Sequence, residues 1–237
     1  MDILSQIMLF TPLDGAAVGL LLFLSVAIGW LIDHPGNRRP SVSVLMMQYR
    51  REWMAEMVTR DPRIFDSGVL DGLRQGITFY ASACIIAIGS GLALVGNTAP
   101  LQGLASDLTL QAADGFALEV KVLLVLGFIA NAFLKFVWSH RLFGYCSIMM
   151  AAVPNDVTNP ECYPRAAQAA EINITAARSY NRGLRSVYFA LGALGWLLGP
   201  IPLLLSAVTT AAVLLRREFA SQSRAIMLNR GGNERVS

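Results

Sequence analysis

The chain is 237 residues long, 54% hydrophobic and only 15% charged, with a mean hydropathy of +0.51. Four apolar runs approach the length that crosses a bilayer, which places the chain outside the water-soluble globular class. The net charge of +3 is segregated: every arginine falls within 38–74, 141–185 or 216–235, and residues 1–37 and 75–120 hold no Lys or Arg.

By the positive-inside rule, the three arginine blocks share the cytoplasmic side of a membrane. A nucleic-acid surface fits poorly, because Glu52, Glu56, Asp61, Asp66 and Asp71 are mixed through the first block. The expectation is an all-α fold: a polytopic membrane helical bundle with three full spans, a C-terminal helical hairpin and cytoplasmic amphipathic helices. Residues 1–228 form one membrane domain and 229–237 a disordered basic tail. The protein is then integral to the inner membrane, with its N-terminus outside and its C-terminus cytoplasmic.

The first residues, MDILSQIMLF, carry an Asp and no Lys or Arg, unlike the positive region of a secretory signal. The apolar run at 7–10 stops at Pro12 and is too short to span. A first span follows over 15–32, and Pro35, Gly36 and Pro40 break the helix after it.

Ser41 is placed to cap the next helix. Val42, Leu45, Met46, Tyr49, Trp53 and Met57 recur at helical spacing, with Gln48, Arg51, Glu52 and Thr59 opposite, which predicts an amphipathic helix of about five turns. Glu56 and Arg60 are spaced for a supporting ion pair. Such a helix either lies among lipid headgroups, anchored by Tyr49 and Trp53, or packs on the chain's own cytoplasmic face.

Asp61-Pro62 ends that helix, and a second span grows from 71–75 toward Val95. Gly72, Gly76, Ala83, Ala87 and Gly91 make a stripe of small residues along it, a surface for close helix–helix approach. An outer loop over 96–119 holds Asp107, Asp114 and Glu119 and nothing basic. The third span, 116–138, returns inward to Trp138-Ser139-His140-Arg141.

PNDVTNPECYP then forms a linker, and Pro160 or Pro164 can occupy the first turn of the next helix. That helix is alanine-rich and continues through Arg178 into the membrane. From 186 to 215 there is no charged residue. One helix of that length would reach about 45 Å, against a hydrocarbon core of about 30 Å. One long kinked span would carry Arg216 and Arg217 outside. A hairpin turning at Gly199-Pro200-Ile201-Pro202 keeps them inside and is preferred on charge.

Few polar residues fall within the spans. Lys121, Asn131 and Lys135 form a candidate stripe on the third span, which either lines an anion path or consists of lysines reaching opposite bilayer edges. Lys121 opposes the helix dipole, and Asp114, Glu119 or Asp14 would offset it. Glu171, Arg178, Asn181 and Arg182 form a candidate cytoplasmic polar cluster on one helix. Gly195 and Gly199 match a close-packing motif.

Cys84, Cys146 and Cys162 form no C-x-x-C pair, and His34 and His140 add no metal-like cluster. No H-E-x-x-H, phosphate loop or G-x-S-x-G is present, so no enzyme activity and no cofactor is assigned.

Two motifs, Asn181-Arg182-Gly183-Leu184-Arg185 with Phe189-Ala190-Leu191 and Trp196, and Phe133-Leu134-Lys135-Phe136-Val137-Trp138-Ser139-His140-Arg141, carry a resemblance. The chain resembles the membrane-protein family catalogued as domain of unknown function 599, over most of residues 10–225. The resemblance implies an all-helical membrane domain and carries over no catalytic residue. Three roles remain open: an interaction protein, oligomeric or part of a larger membrane assembly; a small oligomeric channel or transporter; and, last, a membrane enzyme. The expected partners are the lipid bilayer and either a second copy or other membrane proteins, with no nucleic acid.

Overall fold

The computed structural model describes residues 10–36, 39–97, 103 and 115–229. Most of the expected outer loop, with Asp107 and Asp114, and the tail beyond Asn229 lie outside the described residues. The elements are α1 (Pro12–Asp33), α2 (Val42–Met57), α3 (Ile64–Gly96), α4 (Gly115–Ala151) and α5 (Cys162–Ala193). A 3-10 turn (Leu194–Leu198), α6 (Pro200–Phe219) and α7 (Gln222–Leu228) follow. The fold is all-α, with no strand among the described residues.

Four stretches are long and apolar enough to cross a membrane: α1, α3, α4 and Pro200–Leu228. α3 begins at Ile64, a full turn and more before the expected start near 71, and α4 runs on to Ala151, well past Trp138. Neither extension holds a proline, and the single glycine in each (Gly68, Gly144) is carried within the helix, so hydropathy alone set the expected ends too close together.

The chain divides into two compact units. The first gathers 1–29, 81–134 and 183–214, the second 30–80, 135–182 and 215–237, and every boundary between them falls inside a helix.

In the first unit, α1 starts from a capping box. Asp14 N–H donates to Thr11 Oγ1 at 3.2 Å, and the Asp14 carboxylate accepts the Thr11 N–H at 2.9 Å. Pro12 occupies the first helical position, where its missing N–H costs nothing. Pro12 thus opens the first span, while most of the apolar run expected before it lies outside the described residues.

The same unit holds the hairpin. α5 tightens into the 3-10 turn, and Gly199 then takes φ +121°, a conformation glycine adopts without a Cβ penalty. α6 returns alongside: Ser206 Oγ donates to the Gly192 carbonyl at 2.6 Å. A Cβ on Gly195 would lie 2.5 Å from Ser206 Oγ and 2.9 Å from the Pro202 carbonyl oxygen. These contacts exclude the single kinked span. The Pro-rich break reverses the chain, and Gly192 and Gly195 admit the returning backbone of α6 close beside α5.

In the second unit, Ser41 caps α2, its Oγ accepting from Val44 N–H at 3.3 Å and donating to the Ile32 carbonyl at 2.9 Å. α2 packs on the chain itself. Met54 and Met57 are fully buried, and Trp53 donates its indole N–H to Asp66 at 2.6 Å. The expected Glu56–Arg60 pair does not form: α2 ends at Met57, so Arg60 is off the helix and bonds Asp66. The Asp61-Pro62 peptide that follows is cis.

α4 and α5 approach closely in this unit because α5 presents alanine, with Ala166, Ala169, Ala170 and Ala176 buried. Ser139 Oγ reaches the Ala176 carbonyl at 2.7 Å, and Ser179 Oγ the Lys135 carbonyl at 2.9 Å. Phe136 stacks on Tyr80, with Tyr180 tilted against it. At the C-terminal end of α4, Arg63 donates to the Val153 and Pro154 carbonyls, where a cation complements the helix dipole.

Candidate functional site

In the second unit, stretches of four helices line a polar cavity of about 230 Å³. Its polar lining is Asp33 from α1, Ser43 and Arg50 from α2, Arg178 and Asn181 from α5, and Glu218 from α6. Val42, Met46, Met47, Ile174 and Ala177 supply apolar walls.

Both carboxylates are already engaged. Glu218 accepts Ser43 N–H and Ser43 Oγ–H, each at 3.0 Å. Ser43 lies in the first turn of α2, so Glu218 satisfies an orphan amide and complements the positive end of that helix. Asp33, nearly buried, pairs with Arg182 at 2.7 Å.

The two guanidinium groups have no such partner. Among the described residues, neither Arg50 nor Arg178 makes an ion pair. Arg50 bonds the neutral amide oxygen of Asn173, and burial pushes its pKa down from the ordinary arginine value. Arg178 reaches only the Met47 sulfur at 3.9 Å, and its Nε is buried with no hydrogen-bond partner. Asn181 donates to Ser43 Oγ at 3.4 Å.

The candidate cluster of Glu171, Arg178, Asn181 and Arg182 is therefore split between roles. Arg178 and Asn181 line the cavity, and Arg182 holds one of its acids. Glu171 pairs with Arg51 on the exposed side at 2.7 Å. Arg50, Ser43 and Glu218 belong to the site but not to the expected cluster. For Arg50 a signal exists in its spacing: it stands four residues from both Met46 and Met54, on the buried side of α2.

The members of the candidate intramembrane stripe also have separate surroundings. In the first unit, Lys121 lies 5.9 Å from the centre of the Trp196 ring and within electrostatic reach of Asp14. Asn131 donates to Ser186 Oγ at 2.9 Å, and Ser186 passes the bond to the Phe128 carbonyl at 2.8 Å. Lys135 belongs to the second unit and gives its carbonyl to Ser179.

Of the small residues, Gly91 is buried against Leu126, and Gly195 is in the hairpin contact. Gly199 serves the turn. Gly72 and Gly76 face open space, Ala83 is exposed and Ala87 half-buried.

Apolar helices of spanning length, joined by buried side-chain hydrogen bonds, define an all-α membrane protein. The chain matches the family described as "Protein of unknown function, DUF599" over residues 16–223, and it belongs to that family. No curated protein and no solved structure matches it.

Proposed function

We propose that the chain is an integral inner-membrane protein that works by association, as a homo-oligomer or a subunit of a larger membrane assembly. The observation that carries this reading is α3. Gly72 and Gly76 have no atom within 4 Å of where a Cβ would stand, and Ala83 continues the stripe exposed. In lipid, such a groove favours a second helix, since small residues admit close backbone approach and lipid tails fill the gap poorly. Charge supports the orientation. Among the described residues every arginine except Arg185 belongs to the second unit, a segregation that by the positive-inside rule favours a cytoplasmic side for the arginines and an N-terminus outside.

Cysteine crosslinking in native membranes tests the association. Gly76→Cys is expected to give a self-crosslinked dimer, or a crosslink to one defined partner. A protein that stays uncrosslinked and monomeric in native mass spectrometry overturns the reading. A C-terminal tag reachable from outside intact cells overturns the orientation.

A channel or transporter is the second reading, favoured by the nearness of Lys121 and Asp14, because ionisable groups inside a membrane mark ion paths. Anion flux into liposomes that Lys121→Gln abolishes supports it. Liposomes no more permeable than protein-free ones remove it.

A further inference from the structure

We infer that the cavity lined by Arg50 and Arg178 is a binding site for a phosphate-class oxyanion. Two half-buried guanidinium groups lining one cavity repel each other and lose part of their hydration, a cost that an anion held by both offsets. The cavity's own acids do not supply that anion. Glu218 is held at the start of α2 and Asp33 by Arg182.

Arg178 presents a buried Nε without an acceptor, and Arg50 has only a neutral one. The fork geometry of arginine suits paired oxygens, and two forks match a tetrahedral group with several oxygens better than a carboxylate with two. Asn181, with a second amide hydrogen, adds a donor from the same wall. Glu218 sets a limit: with its carboxylate in the lining, a singly charged phosphate fits better than a doubly charged one.

A second cavity of the same unit, about 290 Å³, offers a comparison. It also holds two arginines, each likewise with a buried Nε that has no partner, but there Arg63 donates to backbone carbonyls through its other nitrogens and Arg74 lies 3.7 Å from Asp71.

Such a phosphate is either free in solution or part of a lipid headgroup, and the full-length protein in nanodiscs separates the two. In discs of phosphatidylcholine alone, inorganic phosphate at constant ionic strength is expected to raise the unfolding temperature saturably, where chloride does not. Arg178→Gln is expected to weaken that response at least tenfold, and Arg165→Gln, outside the cavity, to leave it unchanged. If Arg178→Gln does not fold, Arg178→Lys keeps the charge without the fork and is expected to bind several-fold more weakly. A response to phosphatidic acid in the discs that Arg178→Gln removes, with none to inorganic phosphate, assigns the headgroup as the source. If neither probe separates wild type from the Arg178 variants, or Arg165→Gln loses as much, the proposal is overturned.

Discussion

The indole N–H of Trp196 donates to Asp14 Oδ1 at 2.7 Å, tying the N-terminal cap of α1 to the turn of the hairpin. Asp14 is buried, and its other oxygen already serves Thr11. Replacing Trp196 with Phe keeps an aromatic ring, though a smaller one, and leaves a buried carboxylate oxygen without its donor. The expected loss is about 1–3 kcal/mol, read by reversible unfolding in detergent. In a double-mutant cycle with Asp14→Asn the two effects should fall short of additive; full additivity would mean that the bond contributes nothing.

Gly195 and Gly76 should respond oppositely to alanine. At Gly195 the new Cβ meets Ser206 and the Pro202 backbone, so Gly195→Ala is expected to lose about 1–3 kcal/mol by overpacking. Gly76→Ala meets nothing within the chain and should leave monomer stability near wild type. Thermal unfolding of the two purified variants checks this, and equal stabilities would contradict the hairpin contact.

Asp66 is fully buried and accepts from Trp53 and Arg60. Asp66→Ala leaves a guanidinium and an indole N–H without their acceptor, so a loss of about 3–5 kcal/mol is expected. Asp66→Asn keeps the shape and an acceptor oxygen and should lose less. The order wild type, Asn, Ala in unfolding temperature is the measurement.

Asp156 lies in the linker before α5, accepting the Thr158 hydroxyl at 2.7 Å and the Thr158 N–H at 3.0 Å. These bonds favour the carboxylate and hold its pKa below the usual range. A depressed folded pKa means that the turn's contribution is present above the unfolded value, about 3.9, and is lost as pH falls through the folded one. Linker amide exchange should therefore be insensitive to this carboxyl near neutrality and rise only in acid. Thr158→Val should move the Asp156 titration upward, as followed by carboxyl NMR.

Much of the fold is legible in local chemistry. Hydropathy locates α1, α3 and α4, Ser41 and Asp61-Pro62 bracket α2, and the Gly199–Pro202 break together with the flanking arginines points to the hairpin. Helix ends are less so, because charged residues (Asp71 and Arg74 in α3, Arg141 in α4) interrupt the apolar run while the helix itself continues. Thr11 and Asp14 have capping-box spacing, but the intervening Pro12 reads equally well as a stop. The site is the least legible part. Glu218 caps a helix 175 residues away, and Trp196 reaches an aspartate 182 residues away. No spacing rule relates such pairs; only the folded chain does. Arg178 and Asn181 were visible as neighbours on one helix, and their cavity was not.

Every boundary between the two units cuts a helix in mid-run, not a loop. A cut at any of these boundaries is therefore expected to strip turns of their i to i−4 bonds and not to release the arginine-bearing half as a folded fragment. Ligand screens and binding studies on this chain must accordingly begin from the intact polypeptide in a lipid or detergent environment.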